Sequence, residues 1–215
     1  MNQNVEAEAG RLGREGSASA ADLALVAALR RGDETAFARL VEEHHASLRR
    51  IARLYLSSAA VADEVVQDTW LGVIQGVWAF EGRSSLKTWI LRILTNRAKT
   101  RALHEGRTAA IAGWGTDGPE GPGDVPGSAP SPPLRDPAPS PEASLLAQET
   151  SERFRSAIAA LPPKLKLVLT MRDVEGSSSA EVRNVLGITE TNQRVLLHRA
   201  RRKVRTALRA YVEGA

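Results

Sequence analysis

The chain of 215 residues contains no cysteine. Disulfide bridges and thiolate zinc sites are therefore excluded, and a reducing compartment is compatible with the composition. No apolar run approaches the ~18 residues of a membrane-spanning helix, so no membrane insertion is expected. The first twenty residues are polar and rich in Ala, Gly and Ser, without the apolar core of a signal peptide. Period-two alternation and clusters of β-branched residues are scarce, which argues against sheets. Proline, too, is missing from most of the chain: nine of the eleven lie between Gly113 and Glu142. These absences predict an all-α protein, soluble and cytoplasmic, that uses no metal or other cofactor.

What is present is charge, unevenly placed. The formal net charge is +4, but residues 1–20 sum to −1, 21–107 to +3, 108–144 to −4 and 145–215 to +6. Two basic blocks flanking an acidic one suit a polyanionic partner, most often nucleic acid. The proline and glycine in GWGTDGPEGPGDVPGSAPSPPLRDPAPSPE let neither helix nor strand persist. The expected organisation is a disordered tail over 1–20, a helical domain over 21–107, a flexible acidic linker over 108–144 and a second helical domain over 145–215.

In the second domain the pattern predicts a helix from Leu145 to Ala160. Another begins at Pro162-Pro163 and runs through Leu165, Val168 and Leu169 toward Gly176. A short helix, AEVRNVL, is opened by Ser178 and Glu181 in capping-box spacing and closed by Gly187. Thr189 caps a last, basic helix. Its buried stripe is Leu197, Ala200, Val204, Leu208 and Tyr211, and its other side carries Arg194, His198, Arg201, Arg202 and Arg205. Short helix, tight turn and long basic helix is helix-turn-helix order, in which the second helix enters the major groove and its first turns meet base edges. Thr191, Asn192, Arg194 and Val195 occupy those turns. Arg199, Arg201 and Arg202 lie further along, where phosphates run. His198 stands between a groove-edge contact and a plain surface residue.

In the first domain helices are expected over Asp22 to Arg31, from Asp33 onward through Leu54, over Val61 to Val77 and over Leu86 to Leu103. The third has Val61, Val65, Val66, Trp70, Val73, Ile74 and Val77 as its apolar face, and Asp63, Glu64, Gln67 and Asp68 on its polar face. No histidine or further acid completes a metal-ligand set there, which leaves a solvated face or a protein-binding one. The fourth has a core stripe of Leu86, Trp89, Ile90, Ile93 and Leu94, and a separate stripe of Thr88, Arg92, Thr95, Asn96 and Lys99. Beside a loop containing Gly82, Arg83 and Ser84, that second stripe suits a single nucleic-acid strand with one base turned outward.

The segment DEVVQDTW…W.F.G.SS..TW.LRI..N.AK, the Pro-rich stretch, and then ALPPKLKLVLTMRDVEG…VLGI……LHRARRKVR resemble the extracytoplasmic-function group of bacterial sigma-70-type sigma factors, over about residues 21 to 212. The resemblance implies a non-catalytic subunit of RNA polymerase, with a region 2-like first domain and a region 4-like second domain. Asp63, Glu64, Val66, Gln67, Asp68 and Leu71 would then dock on the clamp helices of the largest polymerase subunit, with the flap as a further contact. Arg83, Ser84, Ser85, Arg92 and Lys99 would surround the −10 promoter strand, with Asn96 near a flipped non-template base. The helix-turn-helix would read the −35 element of promoter DNA. An anti-sigma factor is the expected regulatory partner.

The sequence departs from the family pattern at three places. Glu190-Thr191-Asn192-Gln193 replaces a small, hydroxyl-rich and apolar run, and Gln193 falls on a position commonly apolar and inward. Val195 and Leu196 replace polar or basic residues, and Ser177-Ser178-Ser179 lacks the usual leucine and aromatic. These bear on the −35 sequence and on the tilt of the last helix. Two other classes compete. A stand-alone helix-turn-helix regulator would dimerise on palindromic sites and leaves the acidic face and the Asn96 stripe without a role. An enzyme acting on nucleic acid would need a metal cluster or a nucleophile–base pair that the sequence does not offer.

Overall fold

The computed structural model describes residues 17–106 and 152–213, and every regular element among them is helical. The first part comprises α1 (Ala20–Arg30), α2 (Glu34–Tyr55), α3 (Ala59–Gly76) with a following 3-10 turn (Val77–Ala79), and α4 (Leu86–His104). The second comprises α5 (residues 152–159), α6 (Pro163–Leu169) extended by a π turn (Thr170–Val174), α7 (Ser179–Leu186) and α8 (Glu190–Glu213). The expected linker, most of the expected tail and the first turns of the helix expected from Leu145 lie outside the described residues.

Local chemistry fixes where the helices begin. Asp33, Ser58 and Ser85 each accept the amide three residues on, at the starts of α2, α3 and α4. Ser178 and Glu181 form the expected capping box at α7. Ser178→Ala should therefore cost about 1 kcal/mol, read from urea unfolding. A second capping box, Ser19 with Asp22, starts α1, and the Ala18 amide donates to the Gly82 carbonyl at 3.0 Å. Residues 17–20 thus belong to the fold, not to a tail. Gly187 ends α7 at φ 68°, the left-handed conformation that glycine adopts without a Cβ penalty. The turn it makes points α8 away from α7.

The core departs from the expected stripes where a helix is covered on more than one side. α4 buries Thr88, Leu91 and Thr95 as well as Leu86, Ile90 and Leu94, because it packs against α2, α3 and α7. Ile74, expected inward, is half exposed. In α8 the expected Leu197, Ala200 and Val204 are buried and Leu208 half-buried, while the Tyr211 side chain lies outside the description. The two halves, expected as separate domains, lie against one another. α2 meets α6, α4 meets α7, and one apolar cluster runs through both.

Candidate nucleic-acid and protein interfaces

The outward side of α3 carries Glu64, Gln67, Asp68 and Leu71, all exposed. Asp63 is gripped by Arg49 through two bonds of 2.6 and 2.8 Å, and that hydrogen bonding holds its carboxyl below the usual range. Glu64 pairs with Arg101 of α4 at 3.2 Å. Val66, expected on this face, is fully buried. At 100° per residue it sits roughly 200° around the helix from both Glu64 and Asp68, so it supports the face from behind and offers it no contact. The exposed face continues in apolar form through Leu71, Ile74 and Trp78, the last 69% exposed. Arg30 lies over the Trp78 ring at 6.0 Å and donates to the carbonyls of Val77, Trp78 and Phe80, pinning the 3-10 turn that presents it. The sequence reading missed Ile74 and Trp78 here. The 71, 74, 78 spacing was the available signal.

The loop after the 3-10 turn and the first half of α4 enclose an open cleft of about 340 Å³. Glu81, Arg83, Ser84, Arg92 and Asn96 supply its polar side, with Arg83 paired to Glu81 at 2.8 Å, and Phe80, Trp89 and Ile93 line its apolar side. The two rings meet edge to face at 5.4 Å, and Trp89 is half-buried, packed against the core while it also lines the cleft. α3 approaches this wall closely: a Cβ at Gly76 would lie 3.3 Å from the Trp89 ring. Lys99, nearly one turn beyond Asn96, is half-buried, and burial lowers its pKa. Thr88 and Thr95, expected on the polar stripe, face inward. Thr95 donates to the Arg92 carbonyl at 3.2 Å. An aromatic wall, an amide that can donate and accept, and guanidiniums at the rim suit an unstacked base on a phosphate strand. No group of His, Cys, Asp or Glu among the described residues could hold a metal ion.

In the helix-turn-helix, Thr191, Arg194 and Arg202 are exposed, and Asn192, Val195, His198 and Arg199 are half-buried. Thr189 caps α8, accepting the Asn192 amide at 3.3 Å. Glu190 receives Arg194 at 3.2 Å and Arg183 at 3.1 Å. Arg201, expected at a phosphate, instead donates to both carboxylate oxygens of Asp173 at 2.9 and 2.6 Å. It ties α8 to the π turn, and a bidentate partner already fills its donor fork.

Gln193 is 4% exposed and accepts a hydrogen bond from the Ser179 hydroxyl at 3.0 Å. Two departures from the family pattern therefore satisfy each other across the two helices. Gln193→Leu alone should cost about 1 kcal/mol, and Ser179→Ala combined with it should recover most of that loss. A double-mutant cycle by urea unfolding reads the coupling.

The two halves meet through acids of the second and donors of the first. Glu181 accepts from the Ser85 hydroxyl at 2.9 Å and the Thr88 hydroxyl at 3.2 Å, at the N-terminus of α4. Burial pushes its carboxyl up, but bonds from the Ser178 amide and from the Ser85, Ser178 and Thr88 hydroxyls outweigh that and leave it below its ordinary value. The Glu175 side chain, 7% exposed, pairs with Arg50 and accepts from Ser47 at 2.5 Å. Its backbone carbonyl takes the Lys87 ammonium at 3.0 Å. Sequence reading assigned no role to Glu175 and gave Glu181 only its cap.

Known proteins match this chain in both halves. The family model of sigma-70 region 2 matches residues 40–108, and that of sigma-70 region 4 matches residues 151–204. The chain is 27% identical over 183 residues to the ECF RNA polymerase sigma-E factor of Salmonella typhimurium, covering 85% of this chain and 92% of the relative. It is 28% identical over 195 residues to the RNA polymerase sigma-H factor of Pseudomonas aeruginosa, covering 90% and 97%. Among solved structures, CnrH in complex with the cytosolic domain of CnrY is similar with a TM-score of 0.56 at 24% identity, over 88% of this chain and 98% of that one. The sigma factor RpoE in complex with the anti-sigma factor NepR from Bartonella quintana gives 0.54 at 20% identity, over 80% and 96%.

Proposed function

The chain belongs to the extracytoplasmic-function sigma factors of the sigma-70 family, and from that premise we propose how its surfaces divide the work of starting transcription. As an RNA polymerase sigma factor it is a promoter-specificity subunit. The outward side of α3, with Glu64, Gln67, Asp68 and Leu71, docks on the clamp helices of the largest polymerase subunit, with Asp63 at its edge. The cleft of Arg83, Ser84, Arg92 and Asn96 takes the −10 strand, with Ser85 and Lys99 on its flanks. Thr191, Asn192, Arg194 and Val195 read the −35 element in the major groove. His198, Arg199 and Arg202 follow the phosphates. No chemistry is asked of the chain, and it works in the cytoplasm, where its polymerase and promoter are.

The observation that carries this division is the cleft. An amide side chain and two guanidiniums face an aromatic wall beside a loop, on a domain whose neighbouring helix presents an acidic and apolar face. Melting costs unpairing and unstacking of a few kcal/mol per base, and capture of an extruded base offsets part of it. The two readers act as one ligand with two sites, so engagement of one raises the local concentration of the other. An anti-sigma protein that covers these faces is the proposed regulatory partner.

Co-elution with core RNA polymerase, followed by run-off transcription on a genomic fragment library, tests the whole reading. Co-elution with new, defined start sites is expected, and these deliver the −35 and −10 sequences. Failure to bind polymerase, with tight duplex binding by the free chain, would overturn it. Within the cleft, Asn96→Ala should reduce open-complex formation about tenfold, because the base edge loses its partner. Permanganate footprinting of the melted strand measures this, and unchanged reactivity rejects the residue.

A further inference from the structure

The basic last helix begins with an acid. Glu190 is the first residue of α8, its side chain 56% exposed, in the run where the sequence departs from the family pattern. Its two oxygens are held from different helices. Oε2 accepts from Arg183 of α7 at 3.1 Å, and Oε1 accepts from Arg194 of α8 at 3.2 Å. The Arg183 side chain is 35% exposed and its Nε is buried, so its guanidinium reaches the carboxylate from a packed stem. At 100° and 1.5 Å per residue, Arg194 lies about 40° around α8 and about 6 Å along it from Glu190. Both side chains therefore leave the same flank of the helix end that enters the groove in the −35 reading.

A carboxylate carried into the groove of a polyanion is repelled unless it gains a donor. It can only accept hydrogen bonds. The major groove offers two donors, the N4 amine of cytosine and the N6 amine of adenine. On adenine the N7 acceptor stands beside N6 and repels a carboxylate, whereas cytosine sets no acceptor of its own beside N4. Guanine and thymine present only acceptors there, with the thymine methyl. The base edge that suits Glu190 is therefore cytosine. When a guanine takes the Arg194 fork, Oε1 is released beside it. Base pairs are stacked about 3.4 Å apart, so a carboxylate that began in contact with that guanidinium reaches the adjacent pair.

We propose that Glu190 is a base-selecting residue of the −35 reader: its carboxylate, kept in place by Arg183, accepts from the N4 amine of a cytosine in the base pair adjacent to the guanine that Arg194 takes. This assignment rests on the −35 reading above and adds a second base to it. Arg183 is a positioning residue. It acts from α7, fixes the carboxylate and offsets its charge near the phosphates. Selection comes from exclusion as well as attraction. A guanine or thymine edge at that position sets an acceptor against the carboxylate and leaves the charge without a donor.

Competition binding with the holoenzyme tests this. The duplexes carry the −35 element found by run-off transcription, with each base pair replaced in turn by the other three. The native chain should prefer cytosine about tenfold at one position beside the Arg194 guanine. Glu190→Gln should move that preference to adenine, because an amide accepts from N6 and donates to N7. Preferences at the other positions should stay within about twofold, since well-separated contacts contribute independently. Arg183→Ala should lower the cytosine preference about threefold, the scale of one exposed ion pair, and leave the guanine preference intact. A thermal melt confirms that each variant is folded.

A base profile of Glu190→Gln identical to the native one, or shifted uniformly at every position, would overturn the proposal and leave Glu190 as an acid that only complements the helix dipole. Arg194→Ala separates that failure from failure of the −35 reading. If Arg194→Ala loses a guanine preference while Glu190→Gln changes nothing, the Glu190 assignment fails alone. If neither variant alters any preference, the −35 reading fails with it.

Discussion

Asp68→Arg is expected to weaken binding to core RNA polymerase about 100-fold while leaving the protein folded. Asp68 is exposed in the middle of α3, between Gln67 and the apolar start of the patch at Leu71. A surface substitution away from caps and core changes stability by about 0.5 kcal/mol or less. In an interface that matches acids on this chain with bases on its partner, reversal places like charges together at a cost of several kcal/mol, and 1.4 kcal/mol is a factor of ten. Titration of labelled polymerase with native and variant chains reads the loss, and a thermal melt checks the fold. Equal affinities would reject α3 as the docking face. Leu71→Ser and Trp78→Ser extend the test: loss at Leu71 alone confines the contact to the acidic end, whereas loss at both carries it along the 3-10 turn. Val66 cannot serve in such an experiment, because its burial makes any polar replacement a folding mutation.

Arg194→Ala and Arg202→Ala are expected to fail in different ways. Arg194 is exposed in the second turn of α8, paired with Glu190 at 3.2 Å. A solvent-exposed pair of that kind is worth less than about 1 kcal/mol, so a guanine edge can take the guanidinium from it. Its loss should cost up to about 100-fold on the native −35 sequence and little on a scrambled one, because a bidentate base contact is worth about 1–3 kcal/mol of discrimination. Arg202 lies eight residues further, about 12 Å along the axis and roughly 80° around it. On the proposed docking it would meet backbone there, so Arg202→Ala should weaken all sequences alike and reduce the salt slope by about one. Binding to native and scrambled −35 duplexes across a salt series, with the holoenzyme, separates the two. Sequence-independent losses from both would sink the assignment. Arg201→Ala should act chiefly on stability, since its fork is spent on Asp173.

Much of this protein is legible in its sequence because the deciding interactions are local. Capping pairs such as Ser178 with Glu181 fix where helices start within one turn of chain. Gly187 marks the turn before α8 because a left-handed residue is needed there. The stripe of Leu197, Ala200 and Val204 follows from helical period alone. The order of region 2 motif, Pro-rich stretch and region 4 motif identifies the family without any coordinates.

Tertiary structure decided what depends on residues far apart in the chain. α4 has no single apolar stripe because three other helices cover it, so Thr88 and Thr95 are buried where period alone left them on a polar face. Arg201 looks like a phosphate contact until Asp173, 28 residues earlier, is brought against it. Gln193 is a misplaced polar residue until Ser179 supplies its partner. The junction of the halves was beyond sequence reading altogether. Glu175 and Glu181 are separated from Arg50 and Ser85 by 125 and 96 positions, and a carboxylate acquires its meaning only from the hydroxyls and guanidinium it is folded onto.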